Sequence, residues 1–368
     1  MNSISIGKIL GIPLRLHYTW FIIFVLITAS LVAYLPTPEP YVLWLRIALG
    51  VVASLLFFIS IVIHELAHSF VAVKNNIPVK NITLFVFGGV SQLTKEASRP
   101  TTEMLVAIVG PLASILIAGI FHGVYLLLDA SEPFFIIAQW LAYINAIMAL
   151  FNLIPGFPLD GGRVFRAIIW LSTGNYMRAT HIATLLGRII GYIFIGGGII
   201  VMFVTQQWIT GLWLAFIGWF LETAATISYR QTSFRNALNG FTVKDIITPS
   251  PVVSPELSLS QLIQNHILPT GHQSFTVADE GRLEGVVTLN NVKKVPQKRW
   301  DTTRVKEIMT PNSKLTLAHP EQDAVSLLEQ MDEKNIDEVP VLDGDRVVGM
   351  VIRGSLIYRL QIRSELKI

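Results

Sequence analysis

Residues 47–73 read Ile47-Ala-Leu-Gly-Val-Val-Ala-Ser-Leu-Leu-Phe-Phe-Ile-Ser-Ile-Val-Ile-His64-Glu65-Leu66-Ala67-His68-Ser-Phe-Val-Ala-Val73. Positions 47–63 carry no charge, and the run then enters His-Glu-x-x-His with no proline to break a helix. About 20 apolar residues cross the hydrocarbon core as a helix, so the stretch predicts a membrane span with ionisable groups near one end. Such groups are costly at membrane depth and mark function by default. On a helix, positions four apart share a face. His64 and His68 therefore aim two imidazoles at one point, with Glu65 beside them. That spacing lets two histidines hold one divalent ion while the carboxylate takes a proton from its water.

Further apolar runs lie at 18–35, 103–128, 134–154, 179–204 and 208–228; with 42–73 they predict six spans. The first ends at Pro36, Pro38 and Pro40. Across 368 residues, 52% are hydrophobic and 14% charged, with a mean hydropathy of +0.55. Soluble domains carry about 25% charged residues, which excludes an ordinary cytosolic enzyme. Residues 1–230 hold 12 Lys/Arg and 8 Asp/Glu, whereas 231–368 hold 16 and 17. The division predicts a membrane domain over 1–230, a linker at 231–241 and a soluble tail. A net charge of +3, with no basic cluster interleaved with aromatics, gives no footprint for nucleic acid. With no cysteine in the chain, disulfides, thiolate metal sites and a Cys nucleophile are excluded. Any metal is therefore held by His and carboxylates. Lys8 and Arg15 precede an apolar run as long as a span with no small-residue cleavage pattern, so no cleavable signal is expected.

Basic residues fall on alternate loops: Lys8 and Arg15, then Lys74, Lys80, Lys95 and Arg99, then Arg163, Arg166 and Arg178. The intervening loops hold Glu39, then Asp129 and Glu132, then no charge near Gln206. The positive-inside rule puts both termini and the tail in the cytoplasm. A prokaryotic cell membrane is expected from the compact chain.

A catalytic zinc site needs a third protein ligand and one open position. Asp160 is the only carboxylate between Glu132 and Glu222, in Phe151-Asn-Leu-Ile-Pro-Gly-Phe-Pro-Leu-Asp160-Gly-Gly-Arg163. The second and fourth spans run the same way, which places His64, His68 and Asp160 at matching depth. Pro155, Pro158, Gly161 and Gly162 predict an unwound helix there. Such backbone is tolerated at membrane depth only when it lines protein or a water cavity. A bound zinc would lower the pKa of a water toward about 7 and polarise a peptide carbonyl. Glu65 would accept the water proton and return it to the leaving amine. The Asn152 amide either donates to the developing oxyanion or bonds across helices. Residues 79–93, rich in β-branched and aromatic residues, predict two short strands around Gly88 and Gly89. His17, beside Tyr18 and Trp20, reads as part of an aromatic belt and is left out of the metal site.

The pairing of His-Glu-Leu-Ala-His with Asn152-x-x-Pro155-x-x-Pro158-Leu159-Asp160-Gly161 resembles the site-2 protease family of intramembrane zinc metalloproteases. Gly88-Gly89 and Gly110-Pro111 also fit its pattern. The resemblance covers about residues 1–230. It implies one zinc per chain on His64, His68 and Asp160, with Glu65 activating water. It also implies that strands near Val86, Gly88, Gly89 and Val90 pair with an unwound substrate. Family substrates are single-span membrane proteins, often regulators of transcription.

The tail repeats itself. Val243-Lys-Asp-Ile-Ile-Thr-Pro249 matches Val305-Lys-Glu-Ile-Met-Thr-Pro311, and Gly285-Val-Val matches Gly349-Met-Val. Each copy predicts a strand, an amphipathic helix (259–267 and 322–334), two strands and a closing helix. The tail is similar to a pair of CBS domains, over 242–300 and 301–368. Such pairs often bind adenine nucleotides and commonly dimerise, so a homodimer through the tail is open. Thr288 retains the family's phosphate-side hydroxyl, whereas Asn291 and Ser355 replace its ribose-binding Asp and Ile352 lacks the hydroxyl. A nucleotide site and an empty docking module both remain open. The fold class expected is thus a polytopic α-helical membrane domain with a small β-hairpin insert, followed by an α/β CBS pair. A CBS-gated transport protein is the rival reading, since transporters carry such tails and broken helices. A catalytically dead binder of membrane helices would be expected to lack Glu65 or a ligand.

Overall fold

The computed structural model describes residues 3–34, 43–86, 88–129, 133–238, 240–279, 282–334, 336–344 and 346–354. The chain divides into two compact units, Met1–Thr232 and Ser233–Ile368. The first holds helices α1 (Thr19–Tyr34), α2 (Leu43–Lys74), α3 (Pro100–Leu127), α4 (Pro133–Asn152), α5 (Asp160–Thr173) and α6 (Tyr176–Val204), with most of α7 (Trp208–Ala237). Helices α2, α3, α4, α6 and α7 are long and apolar enough to span a membrane. The first expected span is the short one. Its 16 described residues rise about 24 Å, against the roughly 30 Å of a hydrocarbon core.

These helices are sided in the reverse sense to those of a soluble protein. Val25, Leu116 and Ile200 point outward, each more than 60% exposed, as suits a face that lipid covers. On α2 the buried positions include Ser54, Ser60, His64, His68 and Ser69, so its polar groups face protein.

The strands β1 (Ser3–Ile9), β2 (Ile12–His17), β3 (Val79–Phe85) and β4 (Gly88–Leu93) form one sheet in the order β1-β2-β3-β4. The expected hairpin is β3–β4; β1 and β2 enlarge it. β1 and β2 are antiparallel, joined at Leu10-Gly11, while β2 runs parallel to β3. Ile12, Leu14 and Leu16 alternate with exposed or half-buried residues and pack against Phe58, Ile61, Ile82 and Leu84. Among the described residues, β4 is hydrogen-bonded on one side only, to β3.

Between α4 and α5 the chain is irregular over 153–159, and Asp160 opens α5. The unwinding expected at Gly161 and Gly162 is therefore corrected: both lie in the first turn of α5. A β-carbon on Gly162 would strike the backbone of Gly156 and Phe157, so glycine lets the loop pack directly on the helix. Arg166 of α5 pairs with Glu103 of α3, both buried. Its guanidinium lies 4.7 Å from the Phe157 ring and 4.8 Å from the Tyr176 ring. Gly174 ends α5 in the left-handed conformation, its N–H donating to Trp170 O.

In the second unit, β5 (Val252–Val253), β6 (Ser274–Asp279), β7 (Arg282–Thr288), β9 (Glu338–Asp343) and β10 (Arg346–Ile352) follow the order β5-β6-β7-β10-β9, with β8 (Thr310–Pro311) paired to β7. The repeats exchange their leading segments. Val243 and Ile246 pack with Leu327, Met331, Val341 and Val351 of the second copy. Val305 and Ile308 pack with Leu259, Leu262, Phe275 and Val287 of the first. Gly285 and Gly349 sit where the opposite copy's Thr-Pro segment crosses: a β-carbon on either would collide with it. Ser355 and the expected closing helix of the second copy beyond it lie outside the described residues.

Candidate metal centre

His64 and His68 lie on adjacent turns of α2, and Asp160 reaches them from the start of α5. The His64 and His68 Nε2 atoms are 3.1 Å apart, and each is 3.2 Å from Asp160 Oδ2. Both imidazoles are buried and the Asp160 side chain is 13% exposed. The far side of each ring is held by α3. His68 Nδ1 donates to Val106 O at 2.6 Å, and His64 Nδ1 meets Ser114 Oγ at 2.8 Å. A backbone carbonyl only accepts, so the proton of a neutral His68 sits on Nδ1 and leaves a lone pair on Nε2. With His64 in the same tautomer against Ser114, two lone pairs and a carboxylate oxygen converge. Such a set needs a shared cation between its members. Zinc–nitrogen bonds of 2.0–2.1 Å in a tetrahedron place ligand atoms about 3.3 Å apart, and the observed spacings fit that edge. Among the described residues, His64, His68 and Asp160 form the one group able to hold a metal ion.

Glu65 follows His64 and turns toward the sheet, where its Oε2 accepts a hydrogen bond from Ser91 Oγ of β4 at 2.7 Å. Gly89, two residues earlier on β4, lies against the Glu65 side chain. Gly88 and Val90 flank it on the same edge strand, and Val90 is exposed. Val86 follows the end of β3, its N–H donating to Thr19 Oγ1 at 3.3 Å. Asn152 is the last residue of α4, half-buried, and its amide has no hydrogen-bond partner among the described residues. His17 bonds Thr19 Oγ1 at 2.8 Å and stands outside the metal cluster. Thr288 belongs to the second unit, where it caps the helix Leu289–Lys293: its hydroxyl donates to Asn291 Oδ1 at 2.6 Å and accepts from Asn291 N.

Sequence reasoning did not reach Ser91, Val106 or Ser114. Ser114 did leave a trace, since Gly110-x-x-x-Ser114 is the small-residue spacing that brings helices close. Among the described residues, Arg188 pairs with Glu222 at 3.2 Å and Arg166 with Glu103. They offer no open row of charges of the kind that lines an ion path.

Residues 52–135 and 129–195 match peptidase family M50, and 243–298 and 305–362 each match the CBS domain. A Mycobacterium tuberculosis protein provisionally named as the zinc metalloprotease Rip3 is 34% identical over 98% of this chain and 94% of its own length. The chain belongs to peptidase family M50, the site-2 proteases. The zinc metalloprotease MJ0392 of Methanocaldococcus jannaschii is 29% identical, covering 99% of each chain. A solved site-2 protease from M. jannaschii is 28% identical, with a TM-score of 0.45, over 61% of this chain and 94% of that one. This site-2 protease is accordingly a multi-pass membrane zinc metalloprotease with a C-terminal CBS pair, and the transport reading falls.

Proposed function

We propose that this protease cleaves single-span membrane proteins within their transmembrane segments, as part of regulated intramembrane proteolysis. The observation that carries the reading is the convergence of three metal-binding atoms beside Glu65, next to a strand with a free edge. When bound at His64, His68 and Asp160, zinc polarises the scissile carbonyl and acidifies a water. Glu65 takes the proton from the attacking water and hands it to the leaving amine. The unpartnered amide of Asn152 donates to the oxygen on which negative charge develops. A helical substrate has its backbone bonds satisfied internally, so it must unwind before the base can act. An edge strand accepts such a segment: Gly88, Gly89 and Val90 supply backbone groups for strand addition, and Val86 closes the turn behind them.

The loop charges support cytoplasmic termini in a prokaryotic cell membrane, with the CBS pair acting from the cytoplasm. The pair serves as a regulatory module, and a homodimer through it is part of the reading. An adenine nucleotide is the ligand class to test there.

The test is cleavage of a single-span helix, tagged at both ends, by the purified full chain in detergent, with products mapped by mass spectrometry. A cut inside the apolar segment, blocked by a chelator and restored by zinc, is the expected result. Asn152→Ala should lower turnover about a hundredfold. A cut confined to the soluble tags, or wild-type turnover in Asn152→Ala, would contradict the corresponding part of the reading.

A further inference from the structure

Glu65 is a long side chain at the end of a packed helix, and its carboxylate has to sit at one place to move a proton. Among the described residues, its carboxylate has a single hydrogen-bond partner, Ser91 Oγ at 2.7 Å. The direction of that bond is settled by the carboxylate, which only accepts, so the Ser91 hydroxyl donates. The carboxylate is nearer to Ser91 than the Glu65 carbonyl at 3.3 Å. With the Ser91 proton so engaged, Ser69, fully buried on α2, donates to Ser91 Oγ at 3.1 Å. Gly89 and Ser91 are two apart on β4, so they share one face of the strand. That face grips Glu65 twice. A β-carbon on Gly89 would lie 2.6 Å from Glu65 Cγ, so the base rests in a notch opened by a missing side chain while Ser91 holds its tip.

The geometry points to Ser91 as a positioning residue that locks the Glu65 carboxylate and ties it to the strand that receives substrate. This rests on the proposed role of Glu65 as base and of β4 as the pairing edge. A segment adding to the free edge of β4 fixes that strand through ladder bonds. Through Ser91 the same event fixes the base. Productive pairing and alignment of the proton acceptor then become one step, and a loosely bound segment meets a carboxylate less well placed.

The experiment compares the wild-type full chain with Ser91→Ala and Ser91→Thr on the tagged single-span helix, reading kcat, KM and zinc per chain. Loss of a hydrogen bond to a charged group should lower kcat about ten- to hundredfold in Ser91→Ala. KM should stay within about threefold and zinc at one per chain, because no ligand or backbone group is altered. Ser91→Thr keeps the hydroxyl and should recover most of kcat. Wild-type kcat in Ser91→Ala, a threonine variant as slow as the alanine one, or loss of zinc in Ser91→Ala would each overturn the assignment. Activity retained in Glu65→Gln would instead remove the base on which it rests.

Discussion

A β-carbon built on Gly110 overlaps His68 Nε2 and lies 2.8 Å from His64 Nε2. The metal centre therefore depends on an atom that is missing from α3 as much as on the ligands of α2 and α5. Gly110→Ala should push both imidazoles off their converging geometry. Zinc in the purified protein should fall at least tenfold while helix content by circular dichroism is unchanged; full zinc occupancy would contradict the close approach. At this scale the sequence was highly legible where chemistry is written at fixed spacing. His64, Glu65 and His68 follow from helical periodicity, and Asp160 from being the lone acid in its stretch. Val106, Ser114 and Ser91 were not legible. They lie 38, 50 and 26 residues along the chain from the side chains they hold, and a serine or a carbonyl has no signature until a helix or strand is laid beside it.

The helix α5 brings Asp160 to the site, and what fixes α5 is the buried pair of Arg166 and Glu103. Removing one partner of a buried ion pair leaves an uncompensated charge, at a cost of about 3–5 kcal/mol. Glu103→Gln should lower the thermal unfolding midpoint in detergent, whereas Glu103→Leu with Arg166→Met should recover most of the loss. An unchanged midpoint in Glu103→Gln would show that α5 is held by other contacts. Elements were read well from the sequence where apolar length decides them, as in α2, α3, α4, α6 and α7. One element was missed and one reading held only in part. The period-2 alternation of Ile12, Leu14 and Leu16 was masked by the apolar run that follows it. The break read at Pro155 and Pro158 lies at 153–159, but Gly161 and Gly162, read with it, belong to the first turn of α5 and let the loop lie against it.

The whole molecule joins a membrane unit whose polar groups face inward to a tail whose two copies complete each other. The repeat was visible in the sequence, but the exchange of leading segments was not, because both copies carry the same segment and only the packing shows which core receives it. In the tail, the Thr288 hydroxyl is engaged in capping its own helix, and Asn291 offers it an amide oxygen. Calorimetry of the full chain with ATP, ADP or AMP at millimolar concentration should therefore show no heat. Saturable heat that disappears in Thr288→Ala would assign a nucleotide site. The central claim is that one zinc on His64, His68 and Asp160 works with Glu65 to cleave a peptide bond in a membrane segment. The direct measurement sets wild type beside Glu65→Gln, reading zinc per chain and cleavage of the tagged single-span helix in the same preparations. Wild type should carry one zinc and cleave, and the variant should carry one zinc and not cleave. Cleavage by Glu65→Gln, or a folded wild type purified without chelators that carries no metal, would contradict it.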